Sequence, residues 1–392
     1  MNKRKICIVT TTRAEYGILK PLLSEIDADD TLTLELVVTG THLSVKHGAT
    51  YKEIEADGFK IDAKIAMNLD DDSNEALSFA MAQLQRDITK VFSDLEPDIV
   101  VILGDRYEIL SVATAAMMLH IPLAHIHGGE ITEGAIDDSI RHAVTKLSQL
   151  HFTSTEEYAQ RVIQLGEQPN RVFNVGSLAV EQIKKLPLLS KEELEKSLAF
   201  TFGERNLLVT YHPETLSHLS PQKQFQELLN ALDELQETKI IFTKANADAG
   251  GAVINAMIED YVQKNSDKAA AFSSLGQLRY FSTIMYVDAV VGNSSSGILE
   301  VPSFHKPTIN IGERQKGRTQ ARSIVNAKTL QEDIKKAIYK AYNEDFLQVL
   351  KDVRNPYESE GTSRKIEEVL RSVALDALLQ KKFYDIKEGC YE

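Results

Sequence analysis

Short runs of Val, Ile and Leu alternate along this chain with longer amphipathic stretches, and this alternation constrains the fold more than any other feature. The runs Lys5–Thr10, Leu34–Thr39, Ile99–Leu103, Leu123–His127 and Leu150–Thr153 are nearly continuous in apolar residues. A strand with one wetted face would alternate; continuous runs indicate parallel strands covered on both faces. Between them, Tyr16–Asp27, Asn74–Leu95, Glu108–Leu119, Asp138–Leu147 and Thr155–Leu165 carry apolar residues at helical spacing. Strand–helix alternation of this kind predicts a doubly wound α/β sheet.

The pattern then restarts. Leu207–Tyr211, Lys239–Thr243, Ala289–Gly292 and Pro307–Ile311 read as strands, and Gln222–Glu237, Val253–Lys264 and Gln277–Val287 as helices. At 392 residues the chain has room for two such halves. The boundary is expected near 176–190, where Pro187 interrupts and Ser190-Lys-Glu-Glu193 looks like a capping box opening a helix. A last helix is expected over Thr362–Lys382, after the Asn355-Pro356 break. Two α/β halves imply a ligand cleft between them.

Charge and cysteine content narrow the partners. Forty-four Lys and Arg against 57 Asp and Glu give a net charge of −13, which argues against nucleic acid or an anionic membrane as partner. Cys7 and Cys390 are the two cysteines, too few for a disulfide framework, which fits a reducing cytoplasm. The apolar run Ile6–Val9 is too short for a signal peptide. The stretch Leu110–Ile126 is broken by Ser111, His120 and Pro122, so no transmembrane span is expected.

Five segments carry chemistry. Thr10-Thr11-Thr12-Arg13-Ala14-Glu15-Tyr16-Gly17 joins the first strand to the first helix; its hydroxyls and Arg13 suit an anion, or else cap the helix beside a solvated Arg. It lacks the G-x-G-x-x-G pattern of a dinucleotide site. Gly104-Asp105-Arg106-Tyr107-Glu108 ends a strand; Asp105 beside Arg106 reads as a base kept ionised by its neighbour, or as a helix cap. The densest segment is His125-Ile126-His127-Gly128-Gly129-Glu130 followed by Asp137-Asp138-Ser139-Ile140-Arg141-His142. Here His125 and His127 would share one strand face, Gly128-Gly129 would let a ligand approach, and Asp138, Arg141 and His142 fall on adjacent helix faces. Acid/base chemistry on a sugar ranks above a His/Asp metal site, because no compact ligand motif is present. The fourth segment, Tyr211-His212-Pro213-Glu214-Thr215, places His212 after the first strand of the second half. The fifth, Gly292-Asn293-Ser294-Ser295-Ser296-Gly297-Ile298-Leu299-Glu300, opens a helix whose free N–H groups and hydroxyls suit a diphosphate, with Glu300 placed for a ribose, or else is a Ser-rich cap beside a solvated loop. Gly312–Arg318 adds Arg314, Lys316 and Arg318 near the same edge.

Together, in this order and spacing, these segments resemble the hydrolysing UDP-N-acetylglucosamine 2-epimerases of sialic acid biosynthesis, over about residues 1 to 375. The most specific strings are Gly104-Asp105-Arg106, Asp137–His142 and Gly292–Gly297. The resemblance implies a GT-B architecture: a first Rossmann-like domain over 1–176, a UDP-binding domain over 177–361, and the last helix, about 362–382, packing back on the first. It implies conversion of UDP-N-acetylglucosamine and water to N-acetylmannosamine and UDP, without metal or nicotinamide cofactor, by a homodimer or homotetramer. Asp105 and Asp137 match catalytic carboxylates, and His212 the catalytic His of the second domain. Many relatives carry a catalytic Glu where this chain has His127, so His127 or Glu130 takes that role here. Arg13, Ser294, Ser295, Glu300 and Arg318 match UDP-binding positions. Arg106, Asp138, Arg141, His142, Asn246, Ser274 and Ser296 complete the expected substrate-binding set. Two other substrate readings accompany this one: a UDP-2,4-diacetamido-trideoxy sugar, and a glycosyltransferase reaction on the same fold. A sensor that binds without turnover is disfavoured by the number of titratable groups. The sugar-selecting pocket is expected around His42–His47 and Glu133–Asp137.

Overall fold

The computed structural model describes residues 3–69, 71, 73–132, 136–214, 219–245 and 251–386. Contacts divide the chain into two units, Met1–Gln182 with Ser359–Glu392, and Ile183–Glu358. Among the described residues, thirteen strands form two sheets, and every pairing is parallel.

The first unit holds β1 (Arg4–Thr10), β2 (Leu32–Val38), β3 (Ala63–Lys64), β4 (Ile99–Leu103), β5 (Leu123–Ile126), β6 (Leu150–Thr153) and β7 (Val172–Asn174), in the order 3-2-1-4-5-6-7. Side chains alternate across a strand, and β1 shows the result. Ile6 and Ile8 join Leu19, Leu22, Leu23, Ile366 and Leu370 on one face. Cys7 and Val9 join Leu84, Ile88, Phe92 and Val112 on the other. Both faces are therefore covered, as the continuous apolar runs require.

The second unit holds β8 (Arg205–Thr210), β9 (Thr238–Thr243), β10 (Ala269–Phe272), β11 (Ala289–Gly292), β12 (Thr308–Ile311) and β13 (Ile324–Ala327), in the order 10-9-8-11-12-13. Counted within the unit this is again 3-2-1-4-5-6, the order of a Rossmann-type sheet, whose switch point lies between its first and fourth strands. The short outer strands β3, β7, β10 and β13 lie outside the predicted set. They are two to four residues long and mix small or polar residues with apolar ones, so periodicity does not mark them.

Local chemistry explains the ends. Ser190 and Glu193 form the reciprocal capping box at the start of Lys191–Leu198. The first helix begins at Arg13, where the Thr12 hydroxyl accepts from Glu15 N. Pro21 inside that helix has no N–H for the Gly17 carbonyl, which takes its hydrogen bond from Gln182 Nε2 instead. The last helix is shorter than predicted and spans Thr362–Ser372. The chain turns extended at Val373, and beyond it the carbonyls of Ala377, Leu378 and Gln380 accept from the Arg171 guanidinium, which ties the tail to the first unit. Leu378 is buried in the first unit's core. No helix among the described residues is long and apolar enough to cross a membrane.

Candidate functional site

In a parallel sheet every strand ends on the same edge, and the loops after β1, β4 and β5 bring the first unit's chemistry there. After β1, Thr11 N and Oγ1 both donate to Glu15 at 2.7 Å. Glu15 is buried, and burial pushes its carboxyl up from 4.5 to about 7; the Thr11 bonds and the Arg106 charge oppose this, and Glu108 adds to it. Arg13 lies on the surface, paired with Glu53 at 2.9 Å. Gly40, at φ 60°, passes so close that a Cβ there would lie 2.6 Å from the Thr11 carbonyl oxygen and 3.2 Å from Glu108 Oε1. His42 is fully buried, with Nε2 3.1 Å from Thr10 Oγ1 and Nδ1 2.8 Å from Thr50 Oγ1, and burial lowers its pKa to about 4. It is a neutral clamp for the β1 loop. The side chain of His47 and residues Glu133–Ala135, also expected near the sugar, are outside the described set.

After β4, the ion pairing differs from the sequence expectation. Arg106 does not hold Asp105; its guanidinium lies on Glu108, at 3.1 Å from Nε and 3.0 Å from Nη2. Asp105 is paired with the buried Arg141, which also donates to Thr132 Oγ1 at 3.1 Å. Neighbours in sequence point to different sides of an extended chain, whereas Arg141 reaches Asp105 from the helix Ile136–Leu147. Asp137, in the first turn of that helix, is pushed up by burial, against the charge of Arg106. Asp138 accepts from Thr132 N at 2.7 Å and faces His142 Nε2 at 3.5 Å. Burial lowers the His142 pKa against the pull of Asp138.

After β5, the two histidines separate. His125 is buried, with Nε2 2.7 Å from the Gly104 carbonyl and Nδ1 3.1 Å from Thr145 Oγ1. Nε2 therefore carries the proton, and burial lowers the ring's pKa to about 3. His125 braces β5 against β4. The strand ends at Ile126, and His127 turns into the left-handed region at φ 67°, so period-two alternation does not extend to it. His127 Nδ1 lies 3.7 Å from Glu130 Oε1, and that oxygen accepts from Ser154 Oγ at 3.1 Å. The glycine pair serves packing: at Gly129, φ 82°, a Cβ would lie 2.4 Å from the Tyr158 carbonyl oxygen. No group of three or more His, Cys, Asp or Glu side chains among the described residues is arranged to hold a metal ion.

In the second unit, the loops after β8, β11 and β12 meet. His212 N donates to Asn293 Oδ1 at 2.7 Å, and Asn293 Nδ2 donates to the His212 carbonyl at 2.8 Å. The Asn293 carbonyl accepts from Arg314 Nη1 at 3.1 Å and Gln315 Nε2 at 2.9 Å. Ser294 caps the helix Ser295–Leu299, accepting from Ser296 N. That helix has only five residues, so its dipole is small and the serine hydroxyls carry more of any anion contact than the sequence suggested. Ser296 and Glu300 face each other; burial raises the Glu300 carboxyl, while the Ser296 hydroxyl and the Arg318 charge oppose this. Their approach does not reach the geometry of a full hydrogen bond, so among the described residues Ser296 Oγ and Glu300 Oε2 are buried without a partner, the condition of groups that a polar ligand would satisfy. Tyr280 Oη is buried beside them, a neighbour that no motif signalled. Of the three expected cations, Arg314 holds the Asn293 carbonyl, Lys316 pairs with Glu313 at 3.2 Å on the surface, and Arg318 sits by Glu300. Ser274 is exposed and its Oγ accepts from Gly276 N at 3.1 Å. Asn246 lies outside the described residues.

Comparisons with known proteins bear on the family and the fold. The profile of the family described as UDP-N-acetylglucosamine 2-epimerase matches residues 24–371. The chain is similar to a GDP/UDP-N,N'-diacetylbacillosamine 2-epimerase (hydrolyzing) of Campylobacter jejuni, at 48% identity covering 98% of this chain and 100% of the relative. It is also similar to the polysialic acid biosynthesis protein P7 of Escherichia coli, at 40% identity over 98% of each. Among solved structures, the UDP-GlcNAc 2-epimerase of Neisseria meningitidis bound to UDP-GlcNAc superposes with TM-score 0.78 at 18% identity, covering 93% of this chain and 99% of the other, which supports a GT-B-like pair of parallel sheets.

Proposed function

The chain belongs to the UDP-N-acetylglucosamine 2-epimerase family and is an epimerase of the hydrolysing kind, and from that premise we propose that it releases UDP from a UDP-activated 2-acetamido sugar with inversion at C2. One observation carries the reading. Two carboxylates at one sheet edge have opposite environments: Asp105 lies on the guanidinium of Arg141, whereas Asp137 is raised by burial. Groups whose environments diverge in this way suit opposite roles, one accepting and one delivering a proton.

The chemistry follows. A base takes the C2 proton, the C1–oxygen bond breaks, and UDP leaves with both electrons of that bond. The glycal so formed adds water at C1 and a proton at C2 from the opposite face. Asp105 is assigned the first transfer and Asp137 the return, with His127 and its partner Glu130 at the same edge. In the second unit Ser294, Ser295 and Arg318 are assigned to the diphosphate, where fixed donors stabilise the leaving charge. Glu300 is assigned to the ribose hydroxyls and His212 to the departing phosphate.

The relative named for diacetylbacillosamine is the more similar of the two quoted above. It favours UDP-N,N'-diacetylbacillosamine over UDP-N-acetylglucosamine, the sugar put first by sequence analysis. The family description names UDP-N-acetylglucosamine, which stays as the second reading. The test is to incubate the protein with each UDP-sugar in turn and analyse products by NMR and mass spectrometry. Release of UDP with a free, C2-inverted sugar from one of them is expected. A sugar transferred only when an acceptor is added, or no UDP from either, would overturn the reading.

A further inference from the structure

We propose that Asn293 is the positioning residue for His212: its side-chain amide continues the β8–β11 pairing past the end of both strands and fixes the histidine's backbone. The inference rests on the role given to His212 above.

The sheet alone does not reach His212. The β8–β11 ladder stops at the pair Thr210–Gly292, two residues short of it. At Gly292, φ 140°, the backbone runs so near Thr210 that a Cβ would lie 1.9 Å from the Thr210 carbonyl oxygen. Only glycine fits there, and the chain turns away immediately afterwards. Asn293 N still reaches the Thr210 carbonyl at 3.2 Å, and its side chain then takes the place that a further strand peptide would fill. The carboxamide presents one acceptor and one donor, like a peptide group. Both are used on a single residue, from His212 N and to His212 O. Asn293 is fully buried and His212 nearly so, hence these bonds are shielded from competing water. With its backbone held at both polar groups, His212 keeps only its two side-chain torsions.

Asn293 is itself held. Its carbonyl takes Arg314 Nη1 and Gln315 Nε2 from the loop after β12, and the next residue, Ser294, caps the following helix. One residue thus ties the His212 backbone to the loops assigned to the diphosphate. Aspartate at 293 would keep the acceptor but set a carboxylate oxygen against the His212 carbonyl.

A double-mutant cycle with His212→Ala tests this, because residues that act through one another are non-additive. Asn293→Asp and Asn293→Ser are compared, alone and with His212→Ala, for kcat, KM, UDP affinity by calorimetry and Tm. Each Asn293 variant is expected to lower kcat by roughly tenfold or more, with KM and UDP affinity within about threefold. On the His212→Ala background the same substitutions are expected to change kcat less than about twofold. An equal loss on both backgrounds would show that Asn293 supports the fold generally and would overturn the proposal. So would a variant of either kind with native Tm and wild-type kcat. If His212→Ala itself turns over normally, the role given to His212 fails, which is a different result. Asn293→Ser introduces no charge, so it decides the matter should Asn293→Asp not fold.

Discussion

Replacing Glu15 by Gln should remove a large pH dependence from the stability of the first unit. Glu15 is buried against Thr11, Glu108 and Arg106, and its carboxyl rises from 4.5 to about 7. A carboxyl whose value is higher folded than unfolded binds its proton more tightly in the native state. Its contribution is complete below about pH 4.5 and is lost as pH rises through about 7. At about 1.4 kcal/mol for each pKa step, the whole loss is ~3 kcal/mol, and ~2.5 kcal/mol of it falls between pH 5 and pH 8. Glutamine copies the protonated form and can still accept from Thr11 N. The variant should therefore gain on the wild type by ~2 to 3 kcal/mol across that interval. Because the chain has no Trp, urea unfolding would be followed by circular dichroism and tyrosine fluorescence. Hydrogen exchange in peptides from β1 would report the first unit alone. Parallel stability curves for the two proteins would refute the assignment of a protonated Glu15, and a variant that loses ground as pH rises would reverse it.

Other outcomes follow from the same geometry. Asp105→Asn and Asp137→Asn should each lower kcat by about a hundredfold or more, the scale of one acid/base group, and leave UDP affinity little changed in calorimetry; near-normal turnover in both would show the site misplaced. Arg318→Ala should do the opposite, weakening UDP binding more than turnover at saturation. In 18O-labelled water the label should enter the sugar and not UDP, and in D2O the released sugar should carry deuterium at C2; mass spectrometry of both products reads this, and 18O in UDP would point to attack at phosphorus. Activity should survive dialysis against EDTA; a loss restored by Zn2+ or Mn2+ would require a metal in the mechanism.

Much of this architecture was legible because the two sheets bury both faces of their central strands. Ile99–Leu103 and Leu150–Thr153 have the bounds that apolar continuity predicts, and Ser190 with Glu193 marks a helix start by chemistry local to four residues. Chemistry that depends on distant partners was less visible. Asp105 has an arginine beside it in sequence, yet its partner is Arg141, 36 positions on. His125 and His127 look alike in a motif, but one is inside a strand and the other beyond its end in a left-handed turn. Glu15 stood in a quoted motif without a role, because burial beneath Gly40 and Glu108 comes from segments after β2 and β4. The last helix is shorter than its apolar pattern predicts, because the backbone turns extended at Val373 where no Gly or Pro marks a stop.

The return of Ser359–Glu392 to the first unit makes that unit discontinuous in sequence, and this bears on how the protein is made. Ile366 and Leu370 cover the face of β1 that carries Ile6 and Ile8, and Lys381 reaches the buried Glu167. A nascent chain at Gln182 holds all seven strands of the first sheet but not this cover. The stretch 183–358 must be synthesised first, which takes roughly 10 to 35 s at ordinary elongation rates. The second unit, contiguous in sequence, can fold as it emerges, while the first waits with an apolar stripe open to water. The protein is therefore most exposed to aggregation and to chaperone capture during its own translation, and a chain stopped after Glu358 would remain in that state.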